Sequence, residues 1–227
     1  MPSNLFAMND AILWMLWVLI WISFSGYLYF SIQGYQQFKK VPFRFQEHLP
    51  FELHDIYFES GQRLPSLRWL LLVTVVSLFA YWEAFFVIPT MPLTYGLLIL
   101  MTFFLLSLLG VFIIRTKRIE TYLLLVTTYF VSTSAMFFLA SYIILITPIN
   151  PWHTLFPWTT LVQGIIQLGL LLNPRLKDWS TLEKVEGTNE KPLYRRPTHF
   201  VMAYTQWFTL LNVMIWVLLT QIAFLIG

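Results

Sequence analysis

The stretch PLTYGLLILMTFFLLSLLGVFIIRTKR, residues 92–118, decides the fold. No charged side chain occurs from Pro92 to Ile114, and then Arg115, Lys117 and Arg118 follow in quick succession. A bilayer presents a hydrocarbon core about 30 Å thick, which a helix of roughly 20 apolar residues can cross. A membrane β-strand is only about 10 residues long and alternates apolar with polar positions. This run is too long for such a strand, and it does not alternate. Inside hydrocarbon each backbone N–H and C=O must be bonded within the protein, so the segment reads as a transmembrane helix.

Working outward, five more segments have the same character, at about 11–34, 67–89, 121–147, 154–173 and 199–226. Proline stands at or just beyond several of their ends (Pro89, Pro148, Pro174), as expected where a helix stops. The segment 154–173 is the weakest, because Pro157, Gly164 and Gly169 could kink it or make it re-entrant. The composition agrees: 58% of the residues are hydrophobic and 11% are charged, against about 25% charged in an ordinary soluble domain. The expected fold class is all-α, a polytopic transmembrane helical bundle of about six spans forming a single membrane domain over residues 1–227.

The basic residues give the bundle a direction. All 14 Lys and Arg lie in or beside three links. The link at 35–66 and its edge hold Lys39, Lys40, Arg44, Arg63 and Arg68. The link at 115–120 holds Arg115, Lys117 and Arg118. The link at 174–198 holds Arg175, Lys177, Lys184, Lys191, Arg195 and Arg196. The N-terminus, the two intervening turns and the C-terminus have none. Basic residues in short links mark the cytoplasmic side, so both termini are expected on the non-cytoplasmic face. Six spans preserve this alternation, whereas an odd count would break it. The N-terminal stretch lacks the basic region and the cleavage site of a signal peptide, and the first segment is expected to be a retained span. No Asn-X-Ser/Thr acceptor is present, which fits a bacterial inner membrane slightly better than a eukaryotic one; the expected location is the plasma or inner cell membrane.

Several chemistries are disfavoured. There are no cysteines, which removes disulfides, thiolate nucleophiles and cysteine-ligated metals. His48, His54, His153 and His199 lie in links or at span ends, so haem ligation across the bilayer interior is not expected, and no lysine lies inside a span to form a Schiff base. No P-loop or GxSxG motif occurs, and no basic stripe suited to nucleic acid. Link lengths read as a palindrome, so an inverted repeat is not indicated. No cofactor is expected.

Candidate sites remain, each with a structural alternative. Glu83 is the one acidic or basic side chain clearly within a span. Such a group is a proton, cation or acid–base candidate, but it sits near Pro89 and could simply reach the interface. The last segment carries Thr205, Thr209, Asn212, Trp216 and Thr220 on one helical face, flanked by Gln206 and Gln221. The fourth carries Thr127, Ser134 and Ser141, and the fifth carries Gln163 and Gln167 one turn apart. Together they predict either a polar path between the last three spans or hydrogen-bonded contacts that hold helices together. The candidate intramembrane polar site is Glu83, Asn212, Gln163, Gln167 and Thr209.

Arg115, Lys117, Arg118, Arg195 and Arg196 are candidate contacts for an anion or a lipid headgroup. Topology alone, with a general attraction to anionic lipid of about 1 kcal/mol per basic residue, also accounts for them. In the first link, Glu47, His48, Glu52, His54, Asp55 and Glu59 form an acid–histidine cluster. The favoured reading is the solvated face of an interfacial helix opened by Pro50, with Leu53, Ile56 and Tyr57 on the membrane, and no metal site is expected. In the last link, Ser180-Thr181-Leu182-Glu183 fits a capping box and predicts a short cytoplasmic helix able to dock a soluble partner.

Three function classes follow, in this order: a transporter-like or permease-like bundle or the membrane subunit of a transport complex; a non-catalytic interaction, assembly or signalling protein; and a lipid-active enzyme. The expected partners are the bilayer, a protein partner at the cytoplasmic links, and no nucleic acid.

Overall fold

The computed structural model describes residues 3–53, 65–86, 91–113, 119–147, 155–178, 183–185, 193–195 and 200–226. Among the described residues six α-helices carry the architecture: α1 (Ser3–Lys39), α2 (Pro65–Phe86), α3 (Pro92–Ile113), α4 (Ile119–Ile146), α5 (Phe156–Leu171) and α6 (Val201–Ile226). Five of them, all but α5, are long and apolar enough to cross a membrane. The chain is a helical membrane protein.

Two helices depart from the expected bounds. α1 has 37 residues and is about 55 Å long at 1.5 Å per residue, so it outruns the 11–34 segment at both ends. It stops at Lys40, whose φ of 55° is the left-handed conformation that ends many helices and that glycine usually supplies. α5 has only 16 residues, about 24 Å, and is shorter than the expected 154–173 span. It is a continuous helix through Gly164 and Gly169. Pro157 lies in its first turn, where a missing N–H costs nothing. Its other end closes with the Leu172 N–H bonded back to the Leu168 carbonyl at 2.9 Å.

The predicted helix beginning at Ser180 is corrected. Glu183–Val185 is instead a short strand, β1, antiparallel to β2 (Leu193–Arg195), with Glu183 opposite Arg195. The capping-box pattern is local, whereas the strand pairing joins residues 8, 10 and 12 positions apart, which no local pattern records.

Packing runs mainly between neighbours in sequence: α1 on α2, α3 on α4, and α4 on α5. Contacts between sidechains establish the directions. Tyr122 near the start of α4 meets Gln206 near the start of α6. Tyr81 near the end of α2 meets Gln221 near the end of α6. Phe112 at the end of α3 meets Trp207 at the start of α6, and Gln167 late in α5 meets Thr209 early in α6. Helices α2, α4 and α6 thus run one way, and α3 and α5 the other. The ends of α1, α3 and α5, which lead into the three basic links, share one end of the bundle with the starts of α4 and α6.

Helix α6 is the most enclosed of the long helices, although it has the lowest mean hydropathy among them. An aromatic wall surrounds it. Trp216 stacks on Phe86 at 5.2 Å, lies 5.9 Å from Trp82 and meets Phe137 edge-on at 5.4 Å. Trp82 continues to Phe104, and Phe104 stacks on Tyr129. This wall joins α2, α3, α4 and α6, with each offset or edge-on pair adding roughly 0.5–1.5 kcal/mol beyond area burial.

Where helix backbones approach closely, glycine stands. A Cβ added at Gly164 would lie 3.2 Å from the Phe137 Cβ and 3.4 Å from a Phe138 ring carbon, whereas one at Gly169 would meet nothing within 4 Å. Overpacking of a tight contact costs about 1–3 kcal/mol. Gly164→Val is therefore expected to lower the melting temperature in detergent, while Gly169→Val, in the same helix, leaves it unchanged. Equal behaviour of the two variants in a thermal-shift assay would contradict the α4–α5 packing.

Candidate functional site

The polar face of α6 is turned inward. Thr205, Gln206, Thr209, Asn212, Trp216, Thr220 and Gln221 are all buried, as are Thr160, Gln163 and Gln167 of α5. A lipid-facing helix has no partner for an amide, so these groups must find one between helices. The α5–α6 seam supplies several. Gln167 Nε2 donates to Thr209 Oγ1 at 2.9 Å. Asn212 Nδ2 donates to the Gln163 carbonyl at 3.3 Å, and Gln163 Nε2 points back to the Asn212 carbonyl at 3.5 Å. Nearer the other end, Trp216 Nε1 donates to Thr160 Oγ1 at 3.1 Å. Ser141 of α4 closes the far side by donating to the Pro157 carbonyl at 2.8 Å.

Not every polar atom is answered. Gln163 Oε1, Gln167 Oε1, Thr205 Oγ1 and Gln206 Nε2 are buried without a hydrogen-bond partner, and so, away from the seam, are Gln221 Nε2 and the indole nitrogens of Trp17, Trp21 and Trp82. Each such atom costs about 1–3 kcal/mol and calls for an explanation. The geometry leaves a strip of uncharged hydrogen-bonding atoms within the bundle.

Of the sequence-predicted site, Asn212, Gln163, Gln167 and Thr209 are brought together. Glu83 is not among them: it is exposed on the outside of the bundle, three residues before the end of α2. Of the predicted headgroup contacts, Arg115, Lys117, Arg118 and Arg196 lie outside the described residues, and Arg195 falls in β2. Thr127 is exposed, while Ser134 and Ser141 are buried.

The first link departs from its expected solvated face. Phe43, Leu49, Phe51 and Leu53 are buried, and the segment folds against the ends of the helices. Trp207 Nε1 donates to the His48 carbonyl at 2.8 Å, and the Phe200 N–H donates to the Gln46 carbonyl at 2.9 Å. His48 stacks on Phe43 and lies 3.4 Å from the Tyr35 hydroxyl. It pairs with Glu52 at 3.0 Å, both side chains being mostly buried (17% and 15% exposed). The other Glu52 oxygen accepts the Leu49 N–H at 3.0 Å, reaching back to the start of the turn that Leu49 opens, as the carboxylate of a capping box does. His54, Asp55, Ile56, Tyr57 and Glu59 lie outside the described residues. Among those described, no group of three His, Asp or Glu side chains is placed to hold a metal.

The folded link sits at one mouth of the polar strip. Phe51 packs edge-on against Tyr122 at 5.0 Å, and the Tyr122 hydroxyl donates to Gln206 Oε1 at 2.9 Å. Tyr129 adds a long 3.4 Å contact to the Gln206 carbonyl. Sequence reasoning did not find Tyr35, Phe51, Tyr81, Tyr122 or Thr160 as parts of the polar and aromatic surroundings. A single signal was available, the spacing that places Tyr122 and Tyr129 on one face of α4.

The link's anchorage is testable through its one indole bond. Trp207→Phe keeps an aromatic ring between Phe43 and Phe112 but removes the donor to His48, a loss of about 1 kcal/mol or somewhat more. Faster limited proteolysis within residues 40–53 is expected, with an unchanged α-helical circular dichroism signal; an unchanged cleavage rate would show that the indole bond does not hold the link. Compared with known family models, curated proteins and solved structures, the chain matches none.

Proposed function

We propose that this chain is a transporter-like or permease-like bundle, or the membrane subunit of a transport complex, whose polar strip between α4, α5 and α6 forms the solute path. The observation that carries this reading is the set of buried polar atoms without partners along the seam. Helix–helix contacts that serve only to hold a bundle together normally satisfy the amides they use. A solute site leaves some of them free to exchange partners. The link folded beneath Tyr122 and Trp207 then closes the path at the basic end.

The orientation is part of the proposal. The three basic links are cytoplasmic by the charge rule, both termini are on the opposite face, and the location is the plasma or inner cell membrane. α5 completes the sixth crossing despite its length, by local thinning of the bilayer or by its flanking residues. Arg115, Lys117, Arg118, Arg195 and Arg196 meet anionic lipid headgroups on the inner side.

The second reading, a non-catalytic interaction or assembly protein, draws on the same inner surface. The β1–β2 pair and the folded first link are each candidate contacts for a soluble partner. It leaves the unpaired seam atoms without a role, so it ranks second.

Two measurements test the proposal. With no native cysteine, single cysteines at Gln37, Met91 and Asn173 report sidedness without background. In intact cells an impermeant thiol reagent is expected to label Met91→Cys, and to reach Gln37→Cys and Asn173→Cys only after permeabilisation. The reverse pattern would overturn the orientation. For transport, Asn212→Leu is expected to reduce flux of small polar solutes in reconstituted vesicles while Glu83→Gln leaves it unchanged. If the wild-type protein and its co-purified complex move no polar solute faster than empty vesicles, the interaction reading replaces this one.

A further inference from the structure

Resting on the transport reading, we infer that the α5–α6 seam binds a small uncharged molecule that is a hydrogen-bond donor, of the urea, simple amide or polyol kind. The argument begins with which atoms are free. The Thr209 hydroxyl donates to the Thr205 carbonyl at 2.8 Å. Its one hydrogen is therefore used, and it can only accept from Gln167, at 2.9 Å. The atom of Gln167 that faces it must be the amide nitrogen, which leaves the amide oxygen as the free atom. The same logic applies one turn earlier. Gln163 points its nitrogen at the Asn212 carbonyl at 3.5 Å, a group that has no hydrogen to give. Its oxygen is the free atom as well.

The two residues are 6% and 0% exposed, and lie about 6 Å apart along α5 at 1.5 Å per residue. Across the seam the Thr205 hydroxyl, 0% exposed, also has no partner. Two amide oxygens and one hydroxyl, in successive turns along the α5–α6 boundary, thus have lone pairs unused. The unpaired Gln206 nitrogen lies on the neighbouring flank of α6, toward Tyr122. It is a donor, as is the unpartnered Thr205 hydroxyl, and both suit the carbonyl or hydroxyl oxygen of a solute.

Charge decides between solute classes. The side chains at this point, Gln163, Gln167, Thr205, Thr209 and Asn212, are all uncharged, and Glu83 is exposed outside the bundle. A cation stripped of water here would meet only two amide oxygens, too few to replace its hydration shell, and no carboxylate. An anion would meet those same oxygens and no charged donor. A neutral solute with two or more N–H or O–H groups loses only hydrogen bonds to water, and regains them from the three oxygens.

The test is stopped-flow light scattering of vesicles reconstituted with the full chain, with urea as the probe and glycerol, ammonium chloride and potassium chloride as comparisons. Urea entry is expected at least roughly tenfold faster than in protein-free vesicles, and at least roughly tenfold slower again in a Gln163→Met, Gln167→Met double variant. Met keeps the chain length and removes the acceptors. If the double variant fails to fold, as judged by gel filtration and melting, the nearly isosteric Thr205→Val gives the same comparison with a smaller loss. Urea passing equally well through wild type and variants overturns the seam assignment while transport stands. Passage of ammonium or potassium without urea or glycerol overturns the solute class alone. Passage of none of the four overturns both this inference and the transport reading.

Discussion

The structure depends on one constraint: hydrocarbon cannot solvate an amide, and α6 carries three of them in a helix that must cross it. Gln206, Asn212 and Gln221 are all buried in the bundle, and each meets a different neighbour. Gln206 takes the Tyr122 hydroxyl from α4, Asn212 takes the Gln163 carbonyl from α5, and Gln221 takes the Tyr81 hydroxyl from α2 at 3.0 Å. A helix so committed on three sides sits at the axis of the bundle. The more apolar helices are left to face lipid, with α1 the least enclosed. Trp216 extends the same logic. Its ring fills the space between Phe86, Trp82 and Phe137, while its N–H reaches Thr160. One side chain thereby serves both the apolar wall and the polar seam.

The same constraint explains the first link. The start of α6 exposes backbone donors that no preceding turn can satisfy, and Trp207 adds an indole N–H nearby. Carbonyls of Gln46 and His48 meet the Phe200 N–H and the Trp207 indole. Burying Phe51 and Leu53 then removes large apolar side chains from water, at roughly 1.5–3 kcal/mol each. The His48–Glu52 pair is enclosed as a consequence. Its carboxylate answers two donors at once, His48 and the Leu49 N–H, which is how a mostly buried charge is tolerated.

Much of this was legible in the sequence, and the boundary between what was and was not is physical. Length and hydropathy are additive along the chain, so the five long helices could be read directly, whereas the fifth segment, expected as a span over 154–173, is the shorter α5. The 3.6-residue period is also local, and it placed Thr205, Thr209, Asn212 and Trp216 on the face that proves to be buried. Gln163 and Gln167 were legible for the same reason. Pairings across tens of residues were not. That Tyr81 serves Gln221, or that Trp207 holds the His48 carbonyl from 159 residues away, depends on how helices are arranged around one another. The first link misled because its acidic and imidazole groups suggest water, and only the packing of Phe43 and Phe51 reveals that His48 and Glu52, among those described, are mostly buried. The capping-box residues before β1 misled similarly, since a local signal yielded to a pairing with Leu193–Arg195.

Whether the seam is only adhesive turns on how its amides are used. Adhesion between helices is strongest when a side-chain amide spends both its donor and its acceptor, because each unused atom remains desolvated without return. Gln163 and Gln167 spend the nitrogen and leave the oxygen idle, twice in successive turns and on the same face. Replacing either by leucine would seal the seam with apolar contact and remove the penalty, so adhesion alone gives no reason for glutamine at both positions. A guest that arrives with its own donors does give one. Under the proposed solute path, the idle oxygens are unsatisfied only in the empty protein, and a donor-bearing guest satisfies them.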